Sequence, residues 1–497
     1  MNDIIKIKQN QRLMKLIFTI LFLVAGSRAF CIGPDSTRFT LKEVVALAKE
    51  NSIAAKQAIT TKETKYWQWR TFKSNYQPQL SLSGNLPGYS KTSTPVVQPD
   101  GTIVFQPIHY DNSSLTLNFS QSITATGATV YGQTNLQRFD DFDRNSILYN
   151  GVPYAIGFSQ PLGQFNQLKW DKKIQPLLYK ESTQAYIEQQ EQISVTVTGY
   201  FFDLLLAQVN LETAEANLIN TGKILKIANL KFDLGKVSKN EILQLQLEQL
   251  NARKAVGTAK RDMEIATLNL RSYIGQEGEE KIVLQVPETI SQMKVTAERV
   301  LTEAFANRSD AVAFVRRIAE ARRDVALAHG QTGLTATLTA NIGTSNSAKN
   351  IPGIYRNAQN QQLLELQFSI PVLDWGRSKA KIKTAEANQK FTEYSVEQDK
   401  QTFKQQIVTQ VSLFNVMKDQ LALTAQADSI ASEKYKIARE RYVLGDLSIT
   451  DLSIAFQEND QAKRDYVQSL RDFWSAYYQL RYLSLYDFEK NEKIVYK

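Results

Sequence analysis

Ile227-Ala-Asn-Leu-Lys-Phe-Asp-Leu-Gly-Lys-Val-Ser-Lys-Asn-Glu-Ile242 returns 210 residues later as Ile437-Ala-Arg-Glu-Arg-Tyr-Val-Leu-Gly-Asp-Leu-Ser-Ile-Thr-Asp-Leu452. Ile227/Ile437, Ala228/Ala438, Leu234/Leu444, Gly235/Gly445 and Ser238/Ser448 are identical, and Glu241/Asp451 keeps the charge. A second block repeats at the same offset: Phe158-Ser-Gln-Pro-Leu162 against Phe368-Ser-Ile-Pro-Val372. Two separated blocks with one offset mark an internal duplication. They also fix the distance from a proline junction to a glycine break, so the segments between them are equally long.

Those segments read as helix. From Ser378 to Leu444 there is no proline and no glycine. About 67 residues at about 1.5 Å each give a rod of about 100 Å. A helix that long needs a partner along its length, which predicts an extended coiled-coil-like assembly. The earlier rod spans about Gln167 to Leu234, with Pro176 marking either its start or a kink in its first turns. After each glycine the helical pattern resumes, over Glu241–Ile274 and Ser448–Leu485. Gly235 and Gly445 then sit at the far tips of two helical hairpins, at the same height if the rods are equal. Each is also suited to an ordinary helix C-cap.

Upstream of each rod the period changes to two. Leu80, Leu82 and Leu86 alternate with Ser81, Ser83 and Asn85, and Leu115, Leu117 and Phe119 with Thr116, Asn118 and Ser120. A weaker run lies between Ala128 and Phe139, and Tyr154, Ile156 and Phe158 alternate with small residues. In the second half the runs are Leu334–Ile342 and Leu364–Ile370, ending at Pro371. Such alternation means strands with one apolar and one wet face. Residues 87–113, with four prolines, and 139–151, with Asp140, Asp141 and Asp143, read as exposed loops. Thr40 and Glu43 have capping-box spacing ahead of a helix with Leu41, Val44, Val45 and Ala48 on one face.

The domain plan follows: a signal peptide over 1–29, a first repeat over 30–275 with strands about 79–162, and a linker over 276–296 with a short strand at Ile282–Val286. The second repeat covers 297–486 with strands about 334–371, and 487–497 is a polar tail. The signal reading rests on Lys6, Lys8, Arg12 and Lys15, then the apolar run Leu16–Ala25, then Ser27 and Ala29. Residues 1–29 also carry four of the nine net positive charges. The small remainder over so long a chain is a solvated surface and excludes nucleic acid as a partner. The single cysteine, Cys31, forbids an internal disulfide; it is either a lipidation site or an unmodified residue beside the cut.

The chain resembles the TolC-type outer-membrane factor family, the trimeric exit ducts of multidrug efflux pumps and type I secretion systems. The likeness rests on Leu41–Ala48, Tyr76-Gln-Pro-Gln-Leu80, the junctions at Pro161 and Pro371, and the two tips. It covers nearly all of the mature chain. It implies a fold of mixed α with membrane β: a homotrimer whose β-strands share one barrel in the outer-membrane lipid and whose long helices form a periplasmic α-barrel. So few strands per chain cannot close a barrel alone, since edges in lipid would be unpaired. The resemblance also implies a periplasmic adaptor and an inner-membrane transporter as partners. The adaptor would meet the tips at Gly235, Lys236, Val237, Ser238, Gly445, Asp446, Leu447 and Ser448.

Asp451 matches the first of two constriction aspartates of that family, whereas the second position is Ile454 here. A ring of Asp451 would attract cations, with Ile454 beside it favouring dewetting, and Glu241 is the counterpart in the first repeat. Equally, Asp451 sits in a first helical turn, where the dipole favours a carboxylate. The family uses two strands per repeat, and the extra runs in 114–139 either extend the barrel wall or form a hairpin outside it. Tyr466, Leu470, Phe473, Tyr477 and Leu480 have the period of a packing seam.

No enzyme is expected. The two histidines, His109 and His329, are far apart, and no metal, cofactor or phosphate-binding motif is present. The nearby acids Glu188 and Glu191 read as solvated surface, as do Glu279 and Glu280. The favoured function is export of small molecules such as drugs and toxic compounds. A type I protein-secretion duct and a periplasmic coiled-coil adaptor are the alternatives, and the adaptor would not need strands in both halves.

Overall fold

The computed structural model describes residues 38–235, 237–276, 278, 281–287 and 295–496. The signal peptide, Cys31, Lys236, Glu279, Glu280 and most of the second half of the linker lie outside the described residues. In chain order the elements are β1 (Arg38–Phe39), α1 (Leu41–Asn51), α2 (Ile53–Ser74), β2 (Gln79–Asn85), β3 (Tyr89–Val97), β4 (Ile103–Ser122), β5 (Thr129–Asp141), β6 (Ser146–Leu162), α3 (Gln167–Asp233) and α4 (Lys239–Ile274). Then follow β7 (Val283–Leu284), α5 (Ala297–Asn307), α6 (Ser309–Thr332), β8 (Thr335–Ala348), the one-turn α7 (Ile351–Ile354), β9 (Gln359–Ser369), α8 (Arg377–Leu444), α9 (Ile449–Ser484), β10 (Tyr486–Asp487) and β11 (Glu492–Lys493).

The duplication is visible in the lengths. α3 has 67 residues and α8 has 68, and α4 and α9 have 36 each. Pro176 stands inside α3 rather than at its start. Asn166 marks that start, its Oδ1 accepting from the Lys169 amide at 3.0 Å. Only about two and a half turns precede Pro176, and the long run of turns after it carries the helix past the one missing amide. The stretch read as one helix from Ala297 to His329 is two, broken at Arg308, whose extended backbone separates α5 from α6.

The chain divides into two units, residues 1–47 with 200–288 and residues 48–199 with 289–497. In the first, β1 and β7 pair in parallel, and Gln208 on α3 donates to the Ile282 carbonyl at 2.8 Å. Tyr200 packs on Tyr273, ring centroids 5.0 Å apart. The second unit holds the main sheet and an apolar helical core. Phe414 on α8 meets Phe473 on α9, centroids 5.5 Å apart, and Phe403 receives Phe305 and Phe314 edge-on. Leu470, Phe473, Tyr477 and Leu480 are buried, so that stripe packs as a seam.

The sheet runs β2-β4-β5-β6-β8-β9, antiparallel at every step, with β3 hairpinned onto the outer half of β4. Two stretches read as loops are therefore strand. In 87–113, Pro95 and Pro107 sit in the two-stranded β3–β4 ribbon, where each strand has a free side and a missing amide costs no ladder bond. In 139–151 the turn shrinks to four residues. Asp141 Oδ1 accepts the amides of Asp143 and Arg144, and Asp140 pairs with Arg138. The acidic cluster builds a tight turn instead of a loop.

Candidate functional site

The sheet has two chemically distinct faces, and register carries them across all six strands. Leu80 lies opposite Phe119 and Leu82 opposite Leu117. Leu115 lies opposite Leu136, and Val130 opposite Phe158. Ile156 faces Ile342, Leu338 faces Leu366, and Ala340 faces Leu364. Cross-strand partners share a face, so these side chains form one continuous apolar band. The residues between them, such as Ser81, Thr116, Asn118, Asn135, Thr337 and Gln367, form a polar face. β4 and β5 carry the same band as their neighbours, so the hairpin within 114–139 is part of the wall.

Most of the band is uncovered. Leu364 is 77% exposed, and Leu80, Leu82, Leu366 and Phe368 are exposed as well. Each such side chain in water forgoes about 1.5–3 kcal/mol of burial free energy. Hydrocarbon would cover it. The sheet also ends in two free edges, β2 and β9, whose outer backbone groups have no strand beside them among the described residues. In lipid such edges must be paired. Among the described residues, no helix is long and apolar enough to cross a membrane.

The two tips are built alike. Gly235 has φ +72° and Gly445 φ +97°, a backbone region costly for residues with a Cβ. Gly445 and Asp446 both donate to the Arg441 carbonyl at 3.0 Å, closing the α8 end. Ser238 then caps α4 in a full capping box: Glu241 N donates to Ser238 Oγ at 3.2 Å, and Ser238 N to Glu241 Oε2 at 2.9 Å. Ser448 caps α9, with Asp451 N donating to its Oγ at 3.1 Å, while its own hydroxyl donates to the Asp451 carboxylate at 2.7 Å. Asp451 thus holds a capping position, and it is exposed together with Ile454, one turn on along the same helix face. Leu234 and Leu444, just before the two glycines, are exposed.

One cluster escaped the sequence reading. Glu191 is fully buried, not solvated, and Glu188 is nearly so. Glu191 accepts from Lys49 at 2.8 Å and from Arg481 at 2.9 Å, and the Tyr496 hydroxyl donates to it too. Burial alone would raise its carboxyl, but Lys49 and Arg481 outweigh that and hold it down at about 2. Arg481 also binds Asp487. Glu188 accepts from the Ser309 amide and hydroxyl and faces Arg308, yet burial still leaves its carboxyl raised. The polar tail is corrected as well: β10 and β11 pair, Ile494 is buried, and Tyr496 reaches Glu191. The only forewarning was the aromatic and aliphatic content of a short charged segment. The two histidines stay apart: His109 is on β4 against Tyr89, and His329 ends α6.

Comparison with known proteins gives a consistent picture. A family model described as "Outer membrane efflux protein" matches residues 68–276 and 300–484. The "Outer membrane protein TolC" of Vibrio cholerae serotype O1 is 23% identical over 387 residues, covering 73% of this chain and 83% of its own. The outer-membrane channel OprN superimposes with a TM-score of 0.65 at 15% identity, covering 90% of each chain. The Campylobacter jejuni CmeC outer membrane channel does so at 0.63 and 15%, covering 92% of this chain and 87% of its own. At those identities the superpositions speak for the fold alone.

Proposed function

The chain belongs to the outer membrane efflux protein family, channels rather than enzymes, and from that premise we propose how this exit duct is assembled and what it carries. Three copies close one barrel in the outer membrane, and their long helices extend from it into the periplasm. The tips at Gly235–Ser238 and Gly445–Ser448 meet a periplasmic adaptor, which joins the duct to an inner-membrane transporter. The cargo is small molecules, drugs and toxic compounds among them.

The observation that carries this reading is the six-stranded wall, with its apolar band on one face, a polar face behind it and two unpaired edges. A coiled-coil adaptor would have no use for such a wall. A trimer supplies eighteen strands, in the range where a barrel encloses an aqueous channel. The helical tube ends at the tips, where Asp451 and Ile454 line the constriction with Glu241 as the first-repeat counterpart of Asp451.

The reading is tested by imaging detergent-purified protein and by complementing a strain that lacks the gene. A three-fold particle with a detergent belt, and restored resistance to toxic compounds, are expected. A monomer without a belt would overturn the assembly, and export of a protein without any change in resistance would move the cargo to type I secretion.

A further inference from the structure

The 210-residue offset pairs Phe165 with Trp375, each at a junction where a barrel strand becomes a long helix. The two aromatics meet opposite fates. Phe165 is half-buried against α6, so close that a Cβ on Gly330 would fall 2.5 Å from its backbone nitrogen. That contact follows from strand pairing, because β6, which leads to Phe165, lies beside β8, which follows α6. Trp375 is 90% exposed, with Val372 at 93% and Leu373 also exposed. The loop is nevertheless fixed. Asp374 Oδ1 accepts the Gly376 amide at 3.0 Å and Oδ2 the Ser378 amide at 2.8 Å, while Trp375 itself holds φ +53°. A bulky residue in the left-handed region is strained, so the chain spends free energy to present this side chain outward.

The complement is on the same chain. β9 leads to Trp375 and is one free edge; β2, which follows α2, is the other. At the end of α2 an open cavity of about 800 Å³ is lined by Trp69, Phe72, Tyr76 and Pro176 with Arg70, Lys73 and Lys172. Its aromatics suit Trp375 and Leu373, and its three cations suit the Asp374 carboxylate. Trp69 is already stacked on Tyr179, centroids 5.2 Å apart, which keeps one wall rigid.

We propose that Val372–Trp375 of one copy seats in this aromatic, basic socket of the next copy, beside a β9-to-β2 strand pairing, as Phe165 seats on α6 beside β6 and β8. The contact joining the two repeats within a chain is thus the pattern for the contact joining chains. It is head-to-tail, the kind of contact that closes a ring when the rotation from copy to copy returns to the start. The inference rests on the multimeric duct described above and adds its locking residues.

The test co-expresses two differently tagged forms, Trp375→Cys and Lys73→Cys, and treats membranes with a short bismaleimide. Each form co-expressed with an oppositely tagged chain that has no added cysteine controls for Cys31. A cross-linked species carrying both tags, absent from either control, is expected. Trp375→Asp should in addition lower the temperature at which the detergent-purified multimer dissociates while leaving helical content unchanged. Intact multimers without the mixed species, with the residue 375 thiol open to a lipid-soluble reagent, would overturn the socket and make Trp375 a membrane-interface residue; the duct would stand. Absence of any multimer in the wild-type protein would overturn the duct and the socket together.

Discussion

Arg481 Nε donates to Glu191 Oε2 at 2.9 Å, joining residues 290 positions apart, and Glu191 has no exposure to solvent. With Lys49 on its other oxygen the carboxylate is doubly neutralised and sits at about 2 instead of 4.5. A depressed carboxyl contributes stability that is complete above its unfolded value and is lost as pH falls toward the folded one. The window is therefore about pH 4.5 down to 2, and a shift of that size corresponds to about 3 kcal/mol. Lys49 remains protonated throughout that window and adds no slope. Glu188, raised by burial, titrates with the opposite sign above it, so comparison with Glu191→Gln isolates the effect. We expect Glu191→Gln to lower the apparent unfolding temperature sharply at pH 7, since the mostly buried Lys49 loses its carboxylate and Arg481 keeps only Asp487, at a cost of about 3–5 kcal/mol. The difference from wild type should shrink as pH approaches 2. Melting curves that stay parallel at every pH would remove Glu191 from this account.

Tyr496 ties the C-terminal segment to the same carboxylate and lies 4.8 Å beneath the Lys49 ammonium. Tyr496→Phe should keep the ring contact and lose only the hydroxyl, costing about 1–2 kcal/mol. Truncation after Asp487 should cost more, because buried Ile494 goes too. Equal melting temperatures for the two variants would mean that β11 and Ile494 contribute nothing.

The duplicated order and the helix lengths were legible because proline and glycine punctuate the chain at a constant offset. Strand alternation was legible wherever large apolar residues met Ser, Thr or Asn. It failed over 87–113 and 139–151, where prolines on a free ribbon side and acids in a tight turn imitate loop composition. The buried charges were illegible for another reason. Glu188 and Glu191 have the i,i+3 spacing of any solvated helix face, and their cations arrive from Arg308 on one side and from Lys49 and Arg481 on the other. Spacing along a chain cannot reveal partners that distant. The tips were legible as glycine breaks, while the capping hydrogen bonds of Asp451 emerged only from geometry.

Gly330 tests the in-chain junction. Any Cβ there meets the backbone of Phe165, which has no free end to swing aside. Gly330→Val should cost about 1–3 kcal/mol through overpacking and loosen the strand-to-helix junction at Pro161. Gly199, on α3 with open space around it, is the control, and Gly199→Ala should be neutral or slightly stabilising. Equal effects at the two sites would mean that the Phe165 contact is soft.

Gly445 tests the tip. Its φ of +97° penalises any β-branched residue by about 1–2 kcal/mol, a small sum for a hairpin of this length. Gly445→Val should therefore assemble normally, yet abolish export by displacing the exposed surface offered to the adaptor. Multimer recovery and a resistance assay separate the two. Normal resistance would place the adaptor contact elsewhere.

Asp451 is the sharper case, because capping and pore lining make different demands on it. The cap uses its backbone amide, which donates to Ser448 Oγ whatever the side chain is. Asp451→Asn keeps a polar group for the Ser448 hydroxyl and removes only the charge, so stability should change by less than about 1 kcal/mol. If the carboxylates ring a narrow constriction, that same substitution weakens cation preference in single-channel recordings, and Ile454→Asp strengthens it by adding a second charged ring one turn away. Ser448→Ala is the complementary control: it removes the cap, costs about 1 kcal/mol, and leaves selectivity alone. Unchanged selectivity in Asp451→Asn would leave Asp451 with its capping role only and move the constriction off this helix face.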